Sequence, residues 1–196
     1  MAEGPIAWTG FYVGGHGGYA FSTTKLTAGP LEIDGLASDG FMGGGHVGFD
    51  YQIPGTRWVL GIDGGYTFGK QKFEVTPALL EAEIGNRWYA GGRVGYAIGI
   101  VLPYVHGGGW TQAETSLKAG GTSVPSGDLK GWRAGAGVEF KVPDVPFMTL
   151  GLKYTYTRYD TETVAGIAGL ERADENHDVM AVVNFRPKVD AKTISP

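Results

Sequence analysis

The four histidines are the residues of this chain best suited to acid–base or nucleophilic chemistry. They are His16, His46, His106 and His177. A hydrolytic site needs a histidine beside a hydroxyl nucleophile or an acidic side chain. Three glycines follow His106, and the pair His177–Asp178 stands at the edge of a polar interval, where such pairs are usually solvated surface. The sequence therefore predicts no catalytic residues and a protein that is not an enzyme.

Metal, cofactor and nucleic-acid sites are not indicated either. The chain has no cysteine and its histidines lie on four separate segments, whereas a zinc site gathers its ligands at one point. A formal net charge of -4 at pH 7 provides no basic patch for a phosphate backbone. We therefore predict no metal, no cofactor and no nucleic-acid partner.

The segment 87–98 indicates which kind of element positions the polar residues. Its even positions are aromatic, aliphatic or small, namely Trp88, Ala90, Gly92, Val94, Tyr96 and Ile98. Its odd positions hold two arginines among smaller or polar residues, namely Arg87, Tyr89, Gly91, Arg93, Gly95 and Ala97. A period of two predicts a β-strand, because successive side chains of a strand leave opposite faces.

The same alternation recurs in eight segments of the chain. They are residues 11–21, 41–52, 58–70, 87–98, 101–112, 132–140, 150–156 and 177–185. Short turns alternate with long polar intervals at 22–39, 71–86, 113–129 and 160–176. This arrangement predicts an all-β fold, an eight-stranded antiparallel up-and-down barrel. The facing of 101–112 is ambiguous, because Leu102 and Tyr104 share a face with His106.

Composition indicates that the apolar faces of the strands point outward into lipid. The chain has 35 glycines and 12% aromatic residues but only 18% charged residues. Aromatic residues recur near both ends of the apolar faces, as expected at two membrane interfaces, and strands of about 10 residues suit a tilted bilayer crossing. A glycine-rich interior offers little apolar area to a soluble core. We predict a transmembrane β-barrel, and the alternative is a soluble lipocalin-like ligand-binding barrel.

Three motifs resemble a known family. WTGFYVGG at 8–15, LPYV at 102–105 with GG at 107–108, and GLKY at 151–154 are similar to small outer-membrane β-barrel proteins of alphaproteobacteria. These are porin-family surface antigens with the architecture of the OmpA membrane domain. The resemblance implies a barrel over residues 8–185 in the bacterial outer membrane, with extracellular loops, periplasmic termini and help from the barrel-assembly machinery. Residues 1–7 then form a periplasmic N-terminal segment, and residues 186–196 form a C-terminal tail.

Outward apolar faces place a set of polar residues inside the barrel. The predicted lumen polar cluster comprises His16, His46, Asp63, Arg93, Arg133, Glu139 and Lys153. If strands 41–52 and 58–70 pair so that residue numbers sum to 109, His46 faces Asp63, and we predict that Arg93 joins them. Buried charges need partners, so an interior network that holds the barrel together is the favoured interpretation. Proton or ion conduction is the alternative.

Two contacts with the cell envelope are predicted at the ends of the barrel. Lys70, Lys72 and Arg158 lie where strands reach the outer rim, and we predict that they bind lipopolysaccharide phosphates. Residues 1–5 have no charged segment followed by an apolar run, so we expect any signal peptide to have been removed, with Ala2 as the natural first residue. The Ala2–Glu3 start also resembles that of barrels attached covalently to peptidoglycan, which nominates Ala2 as an attachment point.

Together these observations predict a structural and surface protein of the outer membrane. It would stabilise the envelope through outer-membrane lipids, lipopolysaccharide and, through its N-terminus, peptidoglycan. A narrow ion-conducting porin-like channel is the second possibility. The bore of an eight-stranded barrel is filled largely by side chains, so diffusion of sugars is not expected.

Overall fold

All regular structure in the described part of the chain is β-strand. The computed structural model describes residues 8–28, 31–69, 71–75, 80–119, 122–160, 162–163 and 170–187. The strands are β1 (Gly10–Ala28), β2 (Leu31–Gln52), β3 (Trp58–Gly69), β4 (Gln71–Val75), β5 (Leu80–Tyr96), β6 (Val101–Ala119), β7 (Thr122–Val142), β8 (Val145–Tyr159), β9 (Glu162–Thr163) and β10 (Leu170–Phe185). Within these residues no helix is long and apolar enough to cross a bilayer.

The strands close into one antiparallel barrel. Neighbours follow the order β1, β2, β3, β5, β6, β7, β8, β10, and β10 pairs again with β1. The short strand β4 pairs with β5 beyond β3, and β9 pairs with β10 beyond β8, so the wall has eight strand positions. The predicted eight-stranded antiparallel barrel is confirmed. Closure leaves no open edge, so the strand backbones find hydrogen-bond partners within the sheet.

The strands extend well beyond the segments in which side-chain alternation is visible. Pairing between β1 and β2 continues to Ala28 opposite Leu31, inside the interval 22–39 that was predicted to be a connection. The intervals 71–86, 113–129 and 160–176 also contain strand in their described parts. Past the membrane both faces of a strand can be polar, so the alternation disappears while the backbone pairing persists.

The apolar faces point outward, as the alternation predicted. Ile62 is 68% exposed and Val94 is 41% exposed, whereas Arg93, next to Val94 in the same strand, is 6% exposed. Phe11, Phe41 and Leu152 also lie on the outer wall. The soluble lipocalin-like alternative required the opposite facing and is not favoured by this arrangement.

A β-bulge in β6 resolves the ambiguous facing of that strand. Tyr104 and His106 point into the barrel, and so does Thr111, although it lies an odd number of residues further on. The register shifts by one residue against β5 between Gly107 and Trp110, and against β7 between Gly108 and Thr111. The extra residue exchanges the two faces of the strand, as bulges do. Apolar residues and His106 therefore share the inward face in the part of β6 that precedes the bulge.

Inward glycines are a steric requirement of the narrow barrel. A Cβ atom on Gly135 would lie 2.0 Å from the carbonyl oxygen of Tyr154, and one on Gly44 would lie 2.0 Å from that of Tyr66. The outward-facing Gly15 differs, because its added Cβ would come no closer than 3.6 Å to another atom. The glycine-rich lumen predicted from the sequence thus allows the strands to coil tightly.

Candidate functional site in the barrel lumen

An apolar layer closes the lumen at the end that carries the short turns. Trp8, Val59, Ala97 and Leu102 form this layer. The Arg186 guanidinium packs 5.2 Å from the centre of the Trp8 ring, and its Nη1 donates to the Trp8 carbonyl oxygen at 3.3 Å. Residues before β1 and after β10 are therefore attached to each other at this short-turn end.

Two arginines and two carboxylates form the next layer, which we call the lower cluster. Its members are Arg93, Arg186, Asp50 and Glu139. Arg93 donates to both oxygens of Asp50, and its Nη1 lies 2.5 Å from Oε1 of Glu139. Arg186 reaches Oδ2 of Asp50 at 2.7 Å and Oε2 of Glu139 at 3.1 Å. Each buried charge has two opposite partners, so the cluster offsets its own desolvation.

Aromatic rings and a hydroxyl complete the lower cluster. The Arg93 guanidinium lies 4.6 Å from the centre of the Tyr12 ring and 4.9 Å from that of Tyr104. Thr149 Oγ1 donates to the second Glu139 oxygen at 3.0 Å. Six strands contribute to this layer, which makes it a cross-brace between parts of the wall that do not pair directly.

A histidine pair occupies the middle of the lumen. His46 Nε2 lies 2.6 Å from Oδ1 of Asn184, and because a carboxamide oxygen only accepts, that ring nitrogen donates. The two Nδ1 atoms of His16 and His46 are 3.1 Å apart, so in neutral rings His16 donates to His46. His16 Nε2 then accepts from the Thr67 hydroxyl at 2.9 Å. The chain of hydrogen bonds is complete with both rings uncharged.

A second group of cations surrounds Tyr89 at the same level of the lumen as the histidine pair. The Arg133 guanidinium stacks 3.4 Å from the centre of the Tyr89 ring and reaches Oδ2 of Asp63 at 3.3 Å. The Lys153 ammonium lies 3.4 Å from the Tyr89 hydroxyl. His106 donates through Nε2 to the carbonyl oxygen of Tyr154 at 3.1 Å. Here two cations adjoin one carboxylate.

An ion pair and apolar side chains lie nearer the end that carries the long connections. Arg87 Nη2 is 3.1 Å from Oδ1 of Asp178, which also accepts from Asn176 at 2.8 Å. Ser22 donates to the Asn176 amide oxygen at 2.5 Å. Ala20, Met42 and Met180 pack together as a buried apolar group.

Free space in the lumen is small. One cavity of about 30 Å³ lies between the histidine pair and the long-loop end, and one of about 10 Å³ lies above the lower cluster. Each has room for about one water molecule. Side chains of the lower cluster fill the cross-section between these cavities and the short-turn end, so ion passage there would require a rearrangement of Arg93 and Arg186.

The structure places every member of the predicted lumen cluster inside the barrel, but it pairs them differently. His16, His46, Arg93, Arg133, Glu139 and Lys153 are buried, and the Asp63 side chain is nearly so. His46, Asp63 and Arg93 line the same 10 Å³ cavity, yet each binds other partners. The contact among these three residues was predicted from a register of β2 against β3 that the structure contradicts.

The register error has a local cause. Residue numbers in β2 and β3 sum to 111, not 109, so Asp63 lies opposite Gly48 and His46 opposite Gly65. Ile53 donates its N–H to the Trp58 carbonyl oxygen at 2.9 Å, which makes the turn longer than a tight turn centred on Pro54 and Gly55. A shift of two preserves the face of every side chain and changes only its neighbours.

Sequence reasoning missed several members of the network. Alternation placed Asp50 inside the barrel without assigning it to the cluster, and Asp178 was interpreted with His177 as solvated surface. Arg186 was grouped with the C-terminal tail, although it continues the inward series of Val182 and Asn184. Extending the β10 alternation by one residue past Phe185 is the signal that identifies Arg186.

Two aromatic girdles surround the outer wall. At the short-turn end, Trp58 packs edge-on against Tyr96 with ring centres 5.2 Å apart. At the long-loop end, the His177 ring lies 5.2 Å from Tyr156, and its Nδ1 is 2.7 Å from the Tyr154 hydroxyl. Rings of this kind are typical of membrane–water interfaces. Ile62, at the middle of its strand, lies between the girdles.

The predicted envelope contacts are described only in part. Arg158 is exposed beside the girdle at the long-loop end and pairs in register with Trp132. Lys70, the side chain of Lys72, and Ala2 lie outside the described residues. Among the described side chains, no group of three or more His, Cys, Asp or Glu residues forms a candidate metal site.

Comparisons with known proteins agree with this architecture. Residues 5–186 match the family described as outer membrane protein beta-barrel domain. Neisserial surface protein A is similar in structure, with 18% identity, a TM-score of 0.51, and coverage of 91% of this chain and 98% of that one. At this low sequence identity, the similarity shows a shared fold and nothing more. No match was found among curated protein sequences.

Two further solved structures show weaker similarity. The outer membrane protease OmpT of Escherichia coli has 8% identity and a TM-score of 0.48, with 91% of this chain and 97% of that one covered. The attachment invasion locus protein Ail of Yersinia pestis has 14% identity and a TM-score of 0.46, with 90% and 99% covered. Neither likeness bears on activity.

Proposed function

Because the chain belongs to the outer membrane protein beta-barrel domain family, we propose that it is a structural surface barrel that stabilises the outer membrane. The filled, cross-braced lumen is the observation that supports this role most strongly. Its lower cluster joins Arg186, which follows β10, to Trp8, which precedes β1, and to strands across the barrel. The outer wall meets acyl chains between two aromatic girdles, so the protein acts as a rigid body in the lipid and lipopolysaccharide around it.

The lumen supports a structural role over conduction. A pore needs a continuous aqueous path, and the two lumen cavities of about 30 and 10 Å³ hold about one water molecule each. Arg93 and Arg186 are each bound to two carboxylates in the layer that would have to open. A narrow channel would require both guanidinium groups to leave buried partners at once, which is costly.

The protein is also proposed to be non-catalytic. His16 lies 2.9 Å from the Thr67 hydroxyl and His106 lies 3.5 Å from the Thr155 hydroxyl, but all four residues are buried inside the lumen. His177 binds the Tyr154 hydroxyl on the outer wall. Among the described residues, no histidine contacts a serine or threonine hydroxyl that a substrate could reach.

Lipopolysaccharide contact is proposed for the cations at the outer rim. Arg158 is exposed next to an aromatic girdle, a position at the height of lipid phosphate groups, and guanidinium groups bind phosphate in a bidentate manner. Lys72, in β4, and Lys70, which precedes β4 in the sequence, keep the same proposed role. We assign no further partner to the extracellular loops.

The proposed orientation places the long connections outside the cell and both termini in the periplasm. In this orientation the segment before Trp8 faces the peptidoglycan, and Ala2 remains the proposed attachment point. The motif at 8–15 supports assignment to the alphaproteobacterial surface antigens within the family. Folding would use the barrel-assembly machinery, with Phe185 as the last outward aromatic residue of β10.

Deletion of the gene from its host tests the envelope role. We expect increased uptake of a hydrophobic fluorescent dye and increased sensitivity to detergent with a chelator, because a stabilising component of the outer membrane is lost. Wild-type protein supplied from a plasmid should reverse both effects. Unchanged permeability in the deletion strain, with normal levels of other outer-membrane proteins, would contradict the proposal.

A further inference from the structure

Positive charge exceeds negative charge in the middle and upper lumen. Between the lower cluster and the long-loop end, the described inward cations are Arg87, Arg133 and Lys153, and the carboxylates are Asp63 and Asp178. Arg87 pairs with Asp178 and Arg133 pairs with Asp63. The lower cluster is balanced internally, so it supplies no spare carboxylate.

Lys153 is the cation without a counter-charge in this part of the lumen. It is 8% exposed, and no carboxylate of the described residues comes within 4.0 Å of its ammonium group. Its described contacts are the Tyr89 hydroxyl at 3.4 Å and the Tyr89 ring, whose centre is 5.2 Å away. An ammonium group has three donors, so this contact leaves two of them unused. A buried charge in this state is costly unless something else compensates it.

The 30 Å³ cavity adjoins this lysine and is lined by further donors. Around it lie Lys153, Arg133, Thr111, Thr155 and Thr157, together with the ion pair of Arg87 and Asp178. Arg133 Nε is buried and has no hydrogen-bond partner. Lysine and arginine can only donate, and threonine hydroxyls can rotate to donate as well. The cavity therefore presents converging donors and excess positive charge to whatever fills it.

We propose that this cavity binds one small monovalent inorganic anion, of halide size. Such an ion accepts hydrogen bonds from Lys153, the Arg133 Nε–H and the threonine hydroxyls, and it neutralises the excess positive charge. A water molecule satisfies the donors but leaves the charge. One excess positive charge beside a cavity of about 30 Å³ favours a small monovalent ion over the larger, divalent sulfate.

Thermal unfolding of the refolded full chain in detergent tests the site with chloride and bromide as probes. We expect the unfolding temperature to rise by several degrees in sodium chloride or bromide over sodium gluconate of equal ionic strength, because a ligand of the folded state stabilises it by mass action. The rise should grow with the logarithm of halide concentration above the dissociation constant.

Two variants separate a bound anion from a general salt effect. Lys153→Met removes the charge at similar length, and we expect it to abolish the halide-dependent rise. Arg57→Met removes an exposed cation at the short-turn end, outside the lumen, and should retain the full rise. Equal rises in both variants would identify a general salt effect and overturn the proposal.

A direct measurement covers the case in which Lys153→Met does not fold. Bromide-soaked crystals of the wild-type protein should give an anomalous scattering peak within hydrogen-bonding distance of the Lys153 ammonium. The variant Thr155→Val, which removes one proposed donor, should weaken halide binding severalfold while keeping the charge. A cavity that contains only water in bromide, together with no difference between halide and gluconate, would refute the site.

Discussion

The Arg186 guanidinium binds the Glu139 carboxylate across the lumen, with Nη2 3.1 Å from Oε2. Arg186 follows the last strand, and Glu139 lies in β7, so β8 separates the two in the wall. The ion pair is therefore a contact between parts of the wall that do not pair directly. The same guanidinium reaches Asp50 at 2.7 Å, which extends the brace to β2.

Removal of Arg186 should destabilise the barrel. We expect Arg186→Met to lower the free energy of unfolding by about 3 kcal/mol, because two buried carboxylates each lose one of two cationic partners. Urea unfolding in lipid vesicles, followed by tryptophan fluorescence, measures the change. Arg158→Met, at an exposed position, is the matched control with an expected change near zero. Equal midpoints for the two variants would show that the lower cluster contributes nothing.

A charge on the lipid-facing wall should be costly in proportion to its depth. Ile62 lies midway between the girdles, and we expect Ile62→Arg to destabilise the protein in lipid vesicles by about 2–4 kcal/mol. Ile100, exposed in the short turn after β5, is the depth control, and Ile100→Arg should cost about 0–1 kcal/mol. Comparable costs at both positions would contradict the membrane placement.

Two alanine substitutions should have opposite effects. Gly135→Ala places a Cβ 2.0 Å from the Tyr154 carbonyl oxygen, so we expect loss of stability of at least about 2 kcal/mol or failure to fold. Gly15→Ala has ordinary contacts and should be neutral or stabilising by about 0.5 kcal/mol. Heat-dependent gel mobility of the refolded proteins detects the difference. Normal folding of Gly135→Ala would show that the lumen has more room than described.

The wild-type protein should not conduct ions. We expect planar-bilayer recordings to show no stable steps, because the lower cluster fills the cross-section, and Asp63→Asn should leave the recordings unchanged. A known porin, reconstituted in the same bilayers, verifies that conductance is detectable. Stable steps that Asp63→Asn alters would instead support the channel alternative.

Lipopolysaccharide retention should depend on the cations at the long-loop rim. Native mass spectrometry of protein extracted from outer membranes should show bound lipopolysaccharide, reduced severalfold by the combined variant Lys70→Gln, Lys72→Gln and Arg158→Gln. Arg57→Gln removes an exposed cation at the short-turn end and should leave retention intact. Equal retention by both variants would reject the proposed phosphate contacts.

The sequence by itself determined the number of strands and, outside β6, the face on which the side chains of each alternating segment lie. Alternation is a local property, so Arg93 could be assigned to the lumen and Val94 to the lipid without knowledge of any partner. In the same way, the aromatic residues at both ends of the apolar faces indicated that these faces meet the membrane. The inward position of every predicted lumen residue depends on this parity alone.

Only the tertiary structure decided which lumen residues meet. The register of β2 against β3 depends on the shape of the turn at 53–58, and an error of two residues preserves every face while it exchanges every neighbour. The bulge in β6 and the long polar ends of the strands leave no periodic signal. The contact of Arg186 with Asp50 spans the β1–β10 pairing that closes the barrel, so it depends on closure, which no local pattern encodes.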